Sequence, residues 1–134
     1  LKEQFFTSFY RTDAAERVQD IVTALTYLRS LGSDDPTLIG LGASGIECLF
    51  GRAFAGGSGA TIVNVAGFDA TDDKTFEDKL FVPAIRRAGD VRTAAAMIAP
   101  SRLWIRNAGA GFPSDWIRKA YLAAGAADKL KITK

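Results

Sequence analysis

LIGLGASGIECLFGRAF, residues Leu38 to Phe54, is the stretch on which the fold turns. A short apolar run stops at small residues, and an apolar pattern of helical spacing begins with no loop between them. This predicts a strand over Leu38 to Leu41 that turns directly into a helix over Gly45 to Ala55, closed by Gly56-Gly57. A strand-to-helix corner built on glycines is a place where α/β proteins put chemistry. One version carries a nucleophile on a G-x-S-x-G turn. Another seats a dinucleotide pyrophosphate on a G-x-G-x-x-G turn. Gly40, Gly42 and Gly45 match the second spacing. Ser44, with Gly42 before it, suggests the first, but Ile46 stands where the closing glycine belongs.

Outward from that corner the chain alternates helix and strand. Upstream, Asp13 and Glu16 have capping-box spacing, and Val18, Ile21, Val22, Leu25 and Leu28 recur at helical intervals until Gly32. Ser33-Asp34-Asp35-Pro36 reads as a turn. Downstream, Thr61 to Ala66 is β-branched and nearly all apolar, as a strand buried on both faces is. A charged helical turn over Asp72 to Leu80 and an irregular FVPAIRRAGD follow. A helix is expected over Val91 to Ile98, capped by Asp90 and stopped by Pro100, then a strand over Arg102 to Asn107. Ala108 to Phe112 is a small-residue loop. Ser114 or Asp115 caps a helix reaching about Ala124, Gly125 stops it, and Leu130 to Thr133 is a last strand.

Strict alternation calls for one α/β domain over residues 1–134, of the three-layer class, with a mostly parallel sheet and right-handed crossovers. Ligands in such sheets bind beyond the carboxyl ends of the strands. The candidate positions are therefore Gly40 to Gly45, Gly67 to Thr71 and Asn107 to Phe112.

Composition excludes several functions. The net charge is +2 with no basic block, which argues against nucleic-acid binding through clustered Lys and Arg. No apolar run approaches the roughly 20 residues of a membrane span, so no membrane partner is expected. There is no histidine, so the chain offers no Ser-His-Asp constellation of its own and no imidazole metal ligand. Asp72, Asp73, Glu77 and Asp78 lack the spacing and glycine of a calcium loop, and no metal is expected. The single Cys48 falls on an apolar helix face as a small core residue. Phe5, Phe6, Phe9 and Tyr10 give the first segment an aromatic surface that wants a partner. The chain opens on Leu1 and closes on the strand-like KLKITK, so a piece of a longer polypeptide is expected.

The helix RTDAAERVQDIVTALTYLRSL, the DP turn, LIGLG, the helix from Gly45, TIVNVAGFD, the IAP before RLWIRNAG, and YLAAGAADKLKI follow one another in a suggestive order. This order resembles the C-terminal half of an α/β-hydrolase, of the acetylxylan-esterase-like and dienelactone-hydrolase-like kind. The resemblance implies strands five to eight of that fold, with the oxyanion loop in a first half outside this chain. It also implies a serine at the elbow, an acid that orients a histidine, and that histidine beyond Lys134. Two registers compete at the elbow. With Gly42-Ala43-Ser44-Gly45, Ser44 is the nucleophile and Ile46 crowds the turn. With Gly40-Leu41-Gly42-Ala43-Ser44-Gly45, the small residues fall where turn sterics want them, and Gly42 leaves the nucleophile position without a side chain.

The loop after the third strand here, Asn107 to Phe112, has no carboxylate where the resemblance implies one. Asp69 is the better candidate acid, its plain alternative being a turn residue after Gly67. Asp115 reads as a helix cap, Lys79, Arg86 and Arg87 as a solvated face, and Trp104 as core. Trp116 either covers a site entrance or packs.

The function implied is part of an esterase-type hydrolase acting on an acyl ester of a carbohydrate or other small substrate, with Ser44 and Asp69 as candidate catalytic residues and no cofactor. One alternative is a hydrolase-like scaffold that meets the remainder of its parent protein or another chain. A second is a Rossmann-like dinucleotide-binding domain, in which Asp69 lies near the place of the ribose-binding carboxylate, about 20 residues past the glycines.

Overall fold

The computed structural model describes residues 11–32 and 34–134. The aromatic segment Phe5 to Tyr10 lies outside the described residues, as does Ser33. Helices pack against a four-stranded, all-parallel sheet, the α/β architecture expected. Helix α1 (Asp13–Ser30) leads to β1 (Leu38–Gly40), α2 (Ser44–Ala55) and β2 (Thr61–Asn64). Two short helices, α3 (Asp73–Lys79) and α4 (Ile85–Ala88), precede α5 (Asp90–Ile98) and β3 (Leu103–Arg106). Helix α6 (Ser114–Ala123), a 3-10 turn (Ala127–Lys129) and β4 (Leu130–Ile132) complete the described chain.

The strands lie in the order β1-β2-β3-β4, each beside the next in sequence. Gly40 pairs with Val63, Val63 with Ile105 and Ile105 with Ile132, so these four share a face. A Cβ on Gly40 would lie 2.8 Å from the Cys48 Cβ, which places α2 on that face. Helix α1 packs against α2, α5 packs beside α2, and α6 packs beside α5. Val63, Leu103, Ile105, Ile117 and Tyr121 are fully enclosed between sheet and helices. Burial of that apolar area is the main favourable term for the fold.

Local signals account for most boundaries. The cap of α1 is Thr12, not Asp13: its hydroxyl accepts from Ala15 N at 3.3 Å. Asp13 becomes the first helical residue, where its charge favours the helix dipole. Asp72 caps α3 through the Lys74 and Thr75 amides. Asp90 opens α5 instead of preceding it, and its carboxylate accepts from Arg92 N at 2.8 Å. Neither Ser114 nor Asp115 caps α6 through its side chain; Pro113 precedes the helix, and Asp115 pairs with Arg118 at 3.1 Å. The segment read as irregular contains the single turn of α4, whose Arg86 pairs with Asp73 and lies over the Phe76 ring.

The turn before β1 does more than reverse the chain. Asp35 accepts from Arg29 Nε at 2.9 Å, Arg52 Nη1 at 3.1 Å and Gly59 N at 3.0 Å, and also from Ser58 N. Arg52 is 1% exposed, and its Nε donates to Thr61 Oγ1 at 3.1 Å. The two arginines also donate to the carbonyls of Ala55 and Gly56 at the end of α2, and Arg52 to that of Pro36 before β1, so this cluster ties α1, α2, β1 and β2 together at the amino edge. Partial burial pushes the Asp35 carboxyl up. The Gly59 amide, the Arg29 and Arg52 guanidiniums and the Ser58 amide outweigh that and hold it at about 2.

Candidate functional site

The carboxyl edge of the sheet gathers all three candidate segments. At the elbow, β1 ends on Gly40 and α2 starts on Ser44, leaving Leu41, Gly42 and Ala43 for the whole turn. Gly42 has φ +57°, the left-handed conformation that suits glycine, and a Cβ built on it meets nothing within 4 Å. Ser44 is two residues further on, exposed in the first turn of the helix, and its amide donates to Leu41 O at 3.2 Å. Gly42 is thus the apex of the corner and Ser44 part of the helix. Gly40 and Gly45 are the residues the corner cannot enlarge: Gly40 sits against Gly45 and Cys48, and a Cβ on Gly45 would overlap the backbone carbonyl of Asn64.

The neighbouring strand ends also leave through left-handed residues, at Ala66, Gly67 and Asn107. For Ala66 and Asn107 that conformation costs of order 1–2 kcal/mol each, so the surroundings must hold it. They do so by one local and two cross-strand bonds. Asn64 Oδ1 accepts from Ala66 N at 2.8 Å and from Asn107 Nδ2 at 3.0 Å, and Gly67 N donates to Asn107 O at 2.8 Å. This asparagine pair was not anticipated from sequence, where Asn64 read as the interior of a strand and Asn107 as a strand end opening a candidate loop.

Asp69 lies in the loop after β2. Its Oδ1 accepts from the Thr71 hydroxyl at 2.6 Å and the Thr71 amide at 2.8 Å. Those two bonds, the hydroxyl first, hold its carboxyl below the usual range. The Gly111 Cα abuts this carboxylate, and Gly111 O accepts from Ala70 N at 3.0 Å. The structure therefore brings Asp69 to the loop after β3. Among the described residues no hydrogen bond joins it to Ser44, which sits across the edge at the elbow. A cleft of roughly 390 Å³ opens at the far end of the same edge, lined by Gly109, Phe112, Asp115, Trp116, Arg118 and Thr133. Trp116 forms part of that rim, half-exposed.

Two further side chains bear on the chemistry of α2. Glu47 is buried and accepts from Arg17 Nη1 at 3.1 Å. Cys48 is buried beneath the elbow, and burial, with the Glu47 charge second, pushes its thiol upward. A folded chain should therefore react with a thiol-disulfide reagent roughly a hundredfold more slowly than the chain in urea. Equal rates would mean that the corner opens freely. Among the described residues no cluster of three His, Cys, Asp or Glu forms a metal site, and no helix is long and apolar enough to cross a membrane.

Comparison with protein-family models, with curated proteins and with solved structures finds no match.

Proposed function

We propose that the chain is part of an esterase-type α/β-hydrolase fold in which the strand-to-helix elbow is kept and its apex is empty, so that this segment acts as scaffold and does not supply the nucleophile. The supporting observation is Gly42 at φ +57°, with Ser44 inside the helix. An elbow nucleophile must stand at the apex, exposed above the sheet, with the next amide free to meet an oxyanion. A serine in the first helical turn has neither property. Asp69, committed to Thr71, adds no second catalytic group at the elbow.

The test is hydrolysis of p-nitrophenyl acetate by the polypeptide that carries this chain, before and after Ser44→Ala. The expected result is an unchanged rate, since truncating this exposed hydroxyl removes no listening partner at the apex. A drop of roughly a hundredfold or more would make Ser44 the nucleophile and overturn the reading.

A dinucleotide is the second reading. Its favouring observation is that the surface above Gly42 is open while Gly40 and Gly45 are packed tight, the distribution a pyrophosphate-binding turn requires. NAD or FAD at about ten times a millimolar Kd would raise stability by roughly 1.4 kcal/mol, a readable shift in Tm. The scaffold reading expects no shift.

A further inference from the structure

The register of the sheet divides it into two unlike faces. Gly40, Val63, Ile105 and Ile132 look toward the helices, whereas Ile39, Ile62, Trp104 and Lys131 form the matching row on the other side. The helices α1, α2, α5 and α6 make one connected layer on the first face. Among the described residues none packs on the second. Parallel sheets are ordinarily covered on both faces, because their strands carry apolar residues on both. Here Ile39 is 57% exposed and Leu41, just beyond it, 72%.

The second face has a definite chemistry. The Arg106 guanidinium lies 5.4 Å from the Trp104 ring centre and the Lys131 ammonium 4.3 Å from it. The four strands contribute no carboxylate to balance these cations. Trp104 Nε1 is out of contact with solvent and, among the described residues, has no hydrogen-bond acceptor. A buried indole N–H normally has one, and leaving it without costs about 1–3 kcal/mol. Apolar row and flanking cations together describe a half-built interface.

We infer that this face docks an amphipathic helix of a partner, one whose apolar stripe is flanked by carboxylates. The stripe covers Ile39, Ile62 and the indole ring. The carboxylates meet Arg106 and Lys131. A second copy of the same face is the wrong complement, since two cationic rows would meet. The inference stands on register, exposure and charge; it does not need the hydrolase reading, and each can fail without the other.

The test uses the full chain with Trp116→Phe, which leaves Trp104 as the only indole. The probe is a synthetic 18-residue helix with a leucine stripe flanked by glutamates, set against the same helix with lysines (about five turns, enough to cross four strands). The glutamate helix should bind saturably and shift Trp104 emission. Binding should fall roughly tenfold with Arg106→Glu plus Lys131→Glu, and that variant should gain affinity for the lysine helix. Because Arg106 and Lys131 are exposed, the swap keeps its meaning only where the far-ultraviolet spectrum is unchanged; Ile39→Glu, also at an exposed position, should abolish binding independently. Equal binding of both helices, or none at about a millimolar, overturns the inference. So does a concentration-dependent dimer that Ile39→Glu dissolves, or binding that appears only once residues 1–10 are deleted, for then the face belongs to a second copy or to the chain's own first segment.

Discussion

Gly45→Ala is expected to destabilise the chain by about 3 kcal/mol or more, enough to unfold a marginal domain. The change looks harmless in sequence, since alanine in a helix interior is worth about 1 kcal/mol over glycine. Sterics decide against it. The new methyl would overlap the Asn64 carbonyl, a backbone group fixed in β2 by its ladder bonds to β3. Neither helix nor strand can yield without opening the contact between α2 and the sheet. Gly42→Ala is the control. Its methyl meets no atom within 4 Å, so its cost is confined to the left-handed backbone, about 1–2 kcal/mol. Urea midpoints of the two variants separate these cases, and equal losses would mean that α2 is not packed on β2 as described.

Asp35→Ala should cost about 3–5 kcal/mol. Removing the carboxylate leaves the Arg52 guanidinium buried with its charge uncompensated, and strands the Ser58 and Gly59 amides. The carbonyls of Gly56 and Pro36 and the Thr61 hydroxyl still hold Arg52, which keeps the loss toward the lower figure. The same group sets an acid limit. Its folded pKa, about 2, lies below the ordinary value of 3.8, so its contribution is present above 3.8 and is lost as pH falls toward 2. The urea midpoint should therefore decline between those values for the native chain and decline less for Asp35→Ala. Parallel declines would place the acid sensitivity elsewhere.

The order of elements was legible because apolar periodicity and glycine stops survive in the sequence without competing signals. Leu38 to Leu41 read as a strand and Gly45 to Ala55 as a helix, each within one residue of the observed Leu38–Gly40 and Ser44–Ala55. What the sequence left open at the elbow was register. Two glycine frames overlap within six residues, and only a backbone angle distinguishes them, here the +57° of Gly42. Asp35 was read as a turn residue because its partners come from Arg29, Arg52 and Gly59, contacts that exist only once helix and strand have docked. Thr61 to Ala66 was expected to be a strand buried on both faces, and the strand observed is Thr61–Asn64. Thr61 and Val63 are enclosed, while Ile62 and Asn64 are only half-buried, because every crossover in the described chain returns on one side. Trp104, expected in the core, lies half-buried on that same open side for the same reason.

The strand order β1-β2-β3-β4 has a consequence for how the molecule is made. The four described strands cross the sheet in one direction, without doubling back. Each new strand finds its neighbour already formed, one helix earlier from β1 to β2 and from β3 to β4 and three helices earlier from β2 to β3, so no closure has to skip a strand. Assembly can keep pace with synthesis, the growing edge serving as template for the segment that next leaves the ribosome. Shortening the chain from its end should then remove β4 as a unit and leave the β1-β2-β3 pairing in register.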